Sequence, residues 1–138
     1  MSTTIRPEVS EKNKYWIERH RYYELKHFCL QYPIWKKSYA ALGSISERPV
    51  DLAMIHTNTH GNPTEQCAIS KLFYCERMEM IERIAKETDE ALSSYILKGV
   101  TKGVSYDYLK TRLDIPCCKD VYYDLYRRFF WLLDKARN

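Results

Sequence analysis

Four glycines in 138 residues leave the chain without a glycine-rich loop able to cradle a phosphate. Its five cysteines, Cys29, Cys67, Cys75, Cys117 and Cys118, are odd in number and form neither a CxxC pair nor a disulfide-framework spacing, so they read as reduced thiols that mostly pack. No apolar run approaches the roughly 18 residues of a membrane-spanning helix, and residues 1–10 lack the apolar centre of a signal peptide. The expectation is a cytoplasmic protein with no membrane partner. Enzyme chemistry would call for a nucleophile with a base, paired carboxylates or a phosphate loop, and with only four glycines no such loop is present. His56, His60, Cys67 and Cys75 fit no standard zinc spacing, and His20 and His27 sit among tyrosines, where packing or hydration is the plainer role. The chain reads as neither enzyme nor holder of a metal or cofactor.

Hydrophobic residues make up 45% of the chain and charged residues 29%, enough apolar surface to offset the entropy of ordering. The length suits one cooperative domain. The net charge of +4 permits a polyanionic partner without requiring one. Residues 1–42 hold eight Lys or Arg against four acids and residues 101–138 hold eight against five, whereas residues 63–98 hold five against seven. Basic ends and an acidic middle suit separate faces for DNA and for a protein, although ordinary solvated helix surfaces explain the middle equally well.

Apolar periodicity points to helices throughout. Residues 10–31 place Ile17, Leu25 and Phe28 at helical spacing, with Ser10 as N-cap and Pro33 as terminator. Residues 34–42 read as a second helix, with Trp35, Tyr39 and Leu42 along one face and Gly43 at its end. Residues 1–42 would form an N-terminal helical hairpin. Residues 43–62, rich in Gly, Pro, Asn and Thr, read as one long loop. At Asn62-Pro63-Thr64-Glu65 a capping residue, an initial proline and a back-bonding glutamate together mark a helix start. Ala68, Leu72, Cys75, Ile81 and Ile84 carry that helix to a break near residues 87–89, and a further helical pattern stops at Lys98-Gly99.

The last segment, residues 104–137, carries the functional expectation. Ser105 can cap a helix through Tyr106, Leu109 and Leu113, and Asp114-Ile115-Pro116 forces a turn. A second helix follows from Cys117 or Cys118 to about Ala136, with Val121, Leu125, Phe129 and Leu132 as its inward stripe. In a helix-turn-helix the exposed N-terminal residues of the second helix enter the major groove of double-stranded DNA. On this phase they are Cys118, Lys119, Tyr122 and Tyr123, then Tyr126 and Arg127, with Arg112 of the preceding helix clamping the backbone. Lys and Arg neutralise phosphate or reach guanine, and tyrosine hydroxyls bond phosphate oxygens. Two helices about a proline turn also occur in bundles that never touch DNA, and the run YYDLYRRFFWLL is compatible with a core role.

Three stretches in order, LQYPIWKKSYAAL, NPTEQCAISKLFYCERMEMIERIAKET and GVSYDYLKTRLDIPCCKDVYYDLYRRFFWLL, resemble the RinA/ArpU-type late-gene transcriptional regulators of phages and prophages of Gram-positive bacteria, over roughly residues 15–137. The resemblance implies a helical fold ending in a domain similar to region 4 of sigma factors. It also implies activation of late genes at a promoter in the bacterial cytoplasm, with host RNA polymerase or a sigma factor and a homo-oligomer as further partners. Residue by residue it carries over only to residues 105–128. It departs at the start of the second helix, where related regulators offer Ser, Thr or Arg and this chain has Cys117, Cys118 and Asp120; Asp120 suits the positive helix end better than a phosphate. The readings set against it are a packaging protein such as a small terminase subunit, and a protein-binding module using exposed tyrosines and Trp131.

Overall fold

The structure, a computed structural model, describes residues 13–46 and 63–138, with the backbone alone at 43–46 and 63. Among these residues there are six α-helices and no strand: α1 (Arg19–Leu30), α2 (Tyr32–Ser46), α3 (Pro63–Thr88), α4 (Ser93–Lys102), α5 (Tyr106–Leu113) and α6 (Lys119–Ala136). The fold is all-α, as expected. The described chain forms two compact units. One contains α1, residues 80–88 of α3, and α4 to α6; the other contains α2 and residues 63–79. None of the described helices is long and apolar enough to cross a membrane.

Glu18 begins the first unit's helical structure. Its carboxylate accepts the backbone N–H groups of His20 and Arg21 at 3.0 and 3.3 Å, satisfying two of the orphan donors of a helix start. The His20 N–H, first among these contacts, holds the Glu18 carboxyl below its ordinary value. Helix α1 therefore opens at Arg19, whereas the expected cap, Ser10, lies outside the described residues. Its buried face is Tyr22, Leu25, Phe28 and Cys29.

That face meets α6. The hydroxyls of Tyr22 and Tyr126 are hydrogen-bonded at 2.8 Å, and the Tyr22 ring stands edge-on to Phe130 with centroids 5.2 Å apart. Arg21 Nε donates to the Asp134 carboxylate at 2.6 Å. On the other side of α6, Tyr122 packs on α4 and Tyr123 on the start of α5, and helices α4, α5 and α6 each touch the other two. Ile81, Ile84, Ala85, Ile96, Val100, Leu109 and Ile115 complete the apolar interior.

Two expectations are corrected here. Helix α4 does not stop at Lys98-Gly99 but continues to Lys102, where Gly103 takes the left-handed conformation (φ 68) and its N–H bonds to the Gly99 carbonyl at 3.0 Å. Gly99 is needed mid-helix for another reason: a methyl group there would fall on the Tyr122 hydroxyl. The inward stripe of α6 is also displaced by one residue. Of Val121, Leu125, Phe129 and Leu132 only Phe129 is buried; Val121 is 46% exposed, and the buried set is Tyr122, Tyr123, Tyr126, Phe129, Phe130 and Leu133. Rings bury more apolar area than valine, and the hydroxyls of Tyr123 and Tyr126 find partners inside, so the aromatic face wins.

In the second unit, Pro33 does not end a helix. The chain breaks at Gln31, and Pro33 sits in the first turn of α2, where a missing N–H costs nothing. Helix α2 runs past Gly43 to Ser46; the rest of the expected loop, residues 47–62, lies outside the described residues. Trp35 is buried, and the Cys67 thiol of α3 donates to the Leu42 carbonyl at 3.7 Å. Helix α3 starts at Pro63 and ends at Thr88, close to both expected limits.

Two outcomes follow. Gly99→Ala should destabilise by about 1–3 kcal/mol despite the better helix propensity of alanine, and most of that loss should vanish in a Tyr122→Phe background, where the crowded oxygen is absent. Chemical unfolding of the four proteins measures the coupling, and strictly additive effects would refute the contact. Because the folded Glu18 carboxyl titrates below its ordinary value, its contribution is complete at neutral pH and is lost as pH falls through the folded pKa. The melting-temperature difference between wild type and Glu18→Gln should accordingly shrink toward zero on acidification.

Candidate nucleic-acid interface

The connection between α5 and α6 is held at both ends. Ser105 Oγ accepts the Tyr108 N–H at 3.2 Å, capping α5 as expected. After Leu113 the backbone turns left-handed at Asp114 (φ 53, ψ 51), and the Ile115 N–H closes back onto the Leu109 carbonyl at 3.2 Å. The Asp114 N–H closes on the same Leu109 carbonyl, so one acceptor ties both residues of the turn to α5, and Ile115 is buried. The Tyr106 hydroxyl reaches across and donates to the Cys117 carbonyl at 2.6 Å, while the Tyr106 N–H donates to the Tyr123 hydroxyl at 3.4 Å. One residue at the start of α5 thus grips both the end of the turn and the first turns of α6. Helix α6 opens at Lys119 after an extended Cys118 that makes no side-chain cap, and Asp120 supplies the acid of its first turn.

Of the residues expected to meet DNA, Arg112, Cys118 and Lys119 lie exposed around this turn. Tyr122, Tyr123 and Tyr126 do not: all three are buried, Tyr122 to 1% exposure. Tyr126 is bonded to Tyr22, Tyr123 accepts from Tyr106, and Tyr122 faces Gly99 with no hydrogen-bond partner for its hydroxyl among the described residues. Burial raises the pKa of Tyr126 well above that of a free tyrosine and pushes Tyr122 upward too, so both stay neutral phenols of the interior. Arg127 is also mostly covered. Its side chain is 18% exposed and lies 3.8 Å from Asp124, and its Nε is buried without a hydrogen-bond partner among the described residues.

The one-residue shift in phase brings other side chains outward. Asp120, Val121 and Asp124 are exposed on the first turns of α6, with Leu125 and Arg128 half-buried beside them, and Lys110, Thr111 and Arg112 are exposed at the end of α5. The signal that could have found them is Tyr122, Tyr126, Phe129, Phe130 and Leu133, spaced i, i+4, i+7, i+8 and i+11, as regular a stripe as the one starting at Val121. The surface is mixed in charge. Lys110, Arg112, Lys119 and Arg128 stand among Asp114, Asp120 and Asp124, and Lys110 lies 3.9 Å from Asp114. Burial, with the neighbouring Cys118 second, raises the Cys117 thiol, which keeps it protonated at neutral pH. Among the described residues no three His, Cys, Asp or Glu side chains are grouped closely enough to hold a metal ion.

No protein-family model, curated protein or solved structure matches the chain.

The turn can be probed directly. A left-handed backbone is awkward for any residue with a Cβ and worst for a branched one. Asp114→Gly should leave stability unchanged or raise it by up to about 1 kcal/mol, and Asp114→Val should lower it by about 1–2 kcal/mol. Equal effects of the two in thermal unfolding would contradict the observed conformation.

Proposed function

We propose that the protein is a double-stranded-DNA-binding transcriptional regulator of the RinA/ArpU phage late-gene type, with residues 104–137 as its helix-turn-helix. The observation that carries this reading is the asymmetry of α6: one face is locked into the interior by tyrosines while the other, over its first turns, is exposed beside a rigidly held connection. A helix that enters the major groove needs both features, because a mobile helix would lose ordering entropy on binding and a covered one could not reach base edges.

In this reading α5 and the turn brace α6. Lys119 and Arg128, with Arg112 and Lys110 on α5, neutralise phosphates or reach guanine, and Val121 meets a thymine methyl. Asp120 and Asp124 are unsuited to phosphate but can accept from a cytosine amine, so they confine the contact to the groove floor. The buried tyrosines act on binding only by fixing the phase of α6. The family resemblance supports the promoter and late-gene part of the reading, with host RNA polymerase or a sigma factor as the protein partner.

Lys119→Ala and Arg128→Ala should each weaken binding to a cognate fragment while preserving helical circular dichroism. Each lost phosphate contact should reduce the slope of log affinity against log salt by about 1. Unchanged affinity and slope in both variants would sink the assignment. Footprinting across a phage genome then identifies the role: protection at a late promoter supports regulation, and protection at a packaging site replaces it with a small-terminase role.

A further inference from the structure

The second unit has a surface that its own interior does not explain. On α3, Ala68, Ile69, Leu72 and Phe73 form an exposed patch at helical spacing, with Ile69 and Leu72 59% and 57% exposed, and on α2 Ile34 and Tyr39 are exposed as well. Monomeric proteins seldom leave so many large apolar side chains together on a small surface. A shallow groove of about 280 Å³ lined by Tyr39, Ala68, Lys71, Leu72 and Cys75 adds a concave element.

The charges around this patch are segregated. The only charged residues of α2 are Lys36 and Lys37, both exposed. On residues 63–79 of α3 the fully exposed charges are all acidic, Glu65, Glu76 and Glu79, while the two cations are half-buried, Lys71 at the groove and Arg77 with its guanidinium 3.5 Å from the centre of the Phe73 ring. None of Lys36, Lys37, Glu76 or Glu79 is in an ion pair among the described residues. A surface with a cationic helix, a helix whose fully exposed charges are anionic, and exposed apolar side chains on both can match a second copy of itself after a two-fold rotation.

We infer that this surface binds a second copy of the chain, α2 of each protomer lying against α3 of the other. The two lysines of one copy then meet the glutamates of its partner, twice, around a shared apolar centre made by Ile69, Leu72 and Phe73. Attraction between copies comes chiefly from covering the apolar side chains, and the charges set the orientation. The inference uses only side chains of the second unit and does not rest on the DNA-binding reading.

Sedimentation equilibrium of the full chain over a concentration series tests it. The wild type should be a dimer, and Leu72→Glu a monomer with unchanged helical content. The Lys36→Glu/Lys37→Glu protein and the Glu76→Lys/Glu79→Lys protein should each dissociate at least about tenfold more readily than wild type, since like charges then face one another. An equimolar mixture of those two should recover the dimer, because the reversed helices match again. A wild type monomeric at every concentration overturns the inference and leaves the patch to an unrelated protein or to another segment of the same chain. A dimer insensitive to Leu72→Glu also overturns it, as does a mixture of the charge variants that remains monomeric.

Discussion

Burial of the tyrosine face of α6 is the constraint on which the first unit depends. Tyr122, Tyr123 and Tyr126 bring three hydroxyls into the interior, and a buried hydroxyl without a partner costs about 1–3 kcal/mol. Tyr126 meets this demand through Tyr22 of α1, and Tyr123 through the backbone of Tyr106 in α5. The two bonds join α6 to different helices, so any rotation of α6 would expose rings and break both. Tyr122 is the exception, its hydroxyl lying against Gly99 and unpaired among the described residues. Its ring still packs against Tyr106, Tyr123 and Tyr126 at centroid distances of 5.8, 5.1 and 6.3 Å, which is where its contribution lies.

Helix limits set by local backbone chemistry were legible in the sequence. Ser105 caps because a hydroxyl on an extended residue reaches the amide three residues on, and residues 114–116 turn because proline excludes helix before it and Asp tolerates a left-handed backbone. Pro63 and the break after Thr88 belong to the same class. The phase of α6 was not legible in this way. Val121 and Tyr122 each begin an apolar series at helical spacing, and tyrosine is amphipathic enough to be assigned to either face. The deciding group is the hydroxyl of Tyr22, 104 residues away in sequence. Gly99 was misread for the same reason: it looks like a helix stop until Tyr122 is seen to need the space. Of the candidate site, the turn and its exposed Arg112, Cys118 and Lys119 were therefore readable, and the composition of the outward face was not.

The corrected phase alters the electrostatic character of that face. Removing three tyrosines and most of Arg127 from it, and adding Asp120, Val121, Asp124 and Arg128, leaves cations and anions nearly in balance. A balanced face attracts any polyanion weakly, because the phosphate term scales with the number of neutralised charges. A regulator built this way would owe little of its affinity to indiscriminate attraction and more to matched contacts with base edges, so its specific and non-specific complexes would differ less in salt dependence than in absolute strength.

The support of α6 is divided along its length, and this separates two kinds of mutational effect. The N-terminal turns are held by α4 and α5 through Gly99 and Tyr106, whereas the C-terminal turns are held by Tyr22, by Arg21 on Asp134, and by Tyr15, whose ring lies 5.5 Å from that of Trp131. The Arg21–Asp134 pair is about a quarter to a third exposed at each partner and so contributes modestly, while the Tyr22 contacts are fully buried. Loss of the Tyr22 ring would therefore release the far end of α6 without touching any outward residue of its first turns. On the proposed DNA-binding reading, function lost through such a change would report the rigidity of the helix, and only substitutions at Lys119, Val121 or Arg128, which leave the tyrosine face intact, would report contacts with DNA.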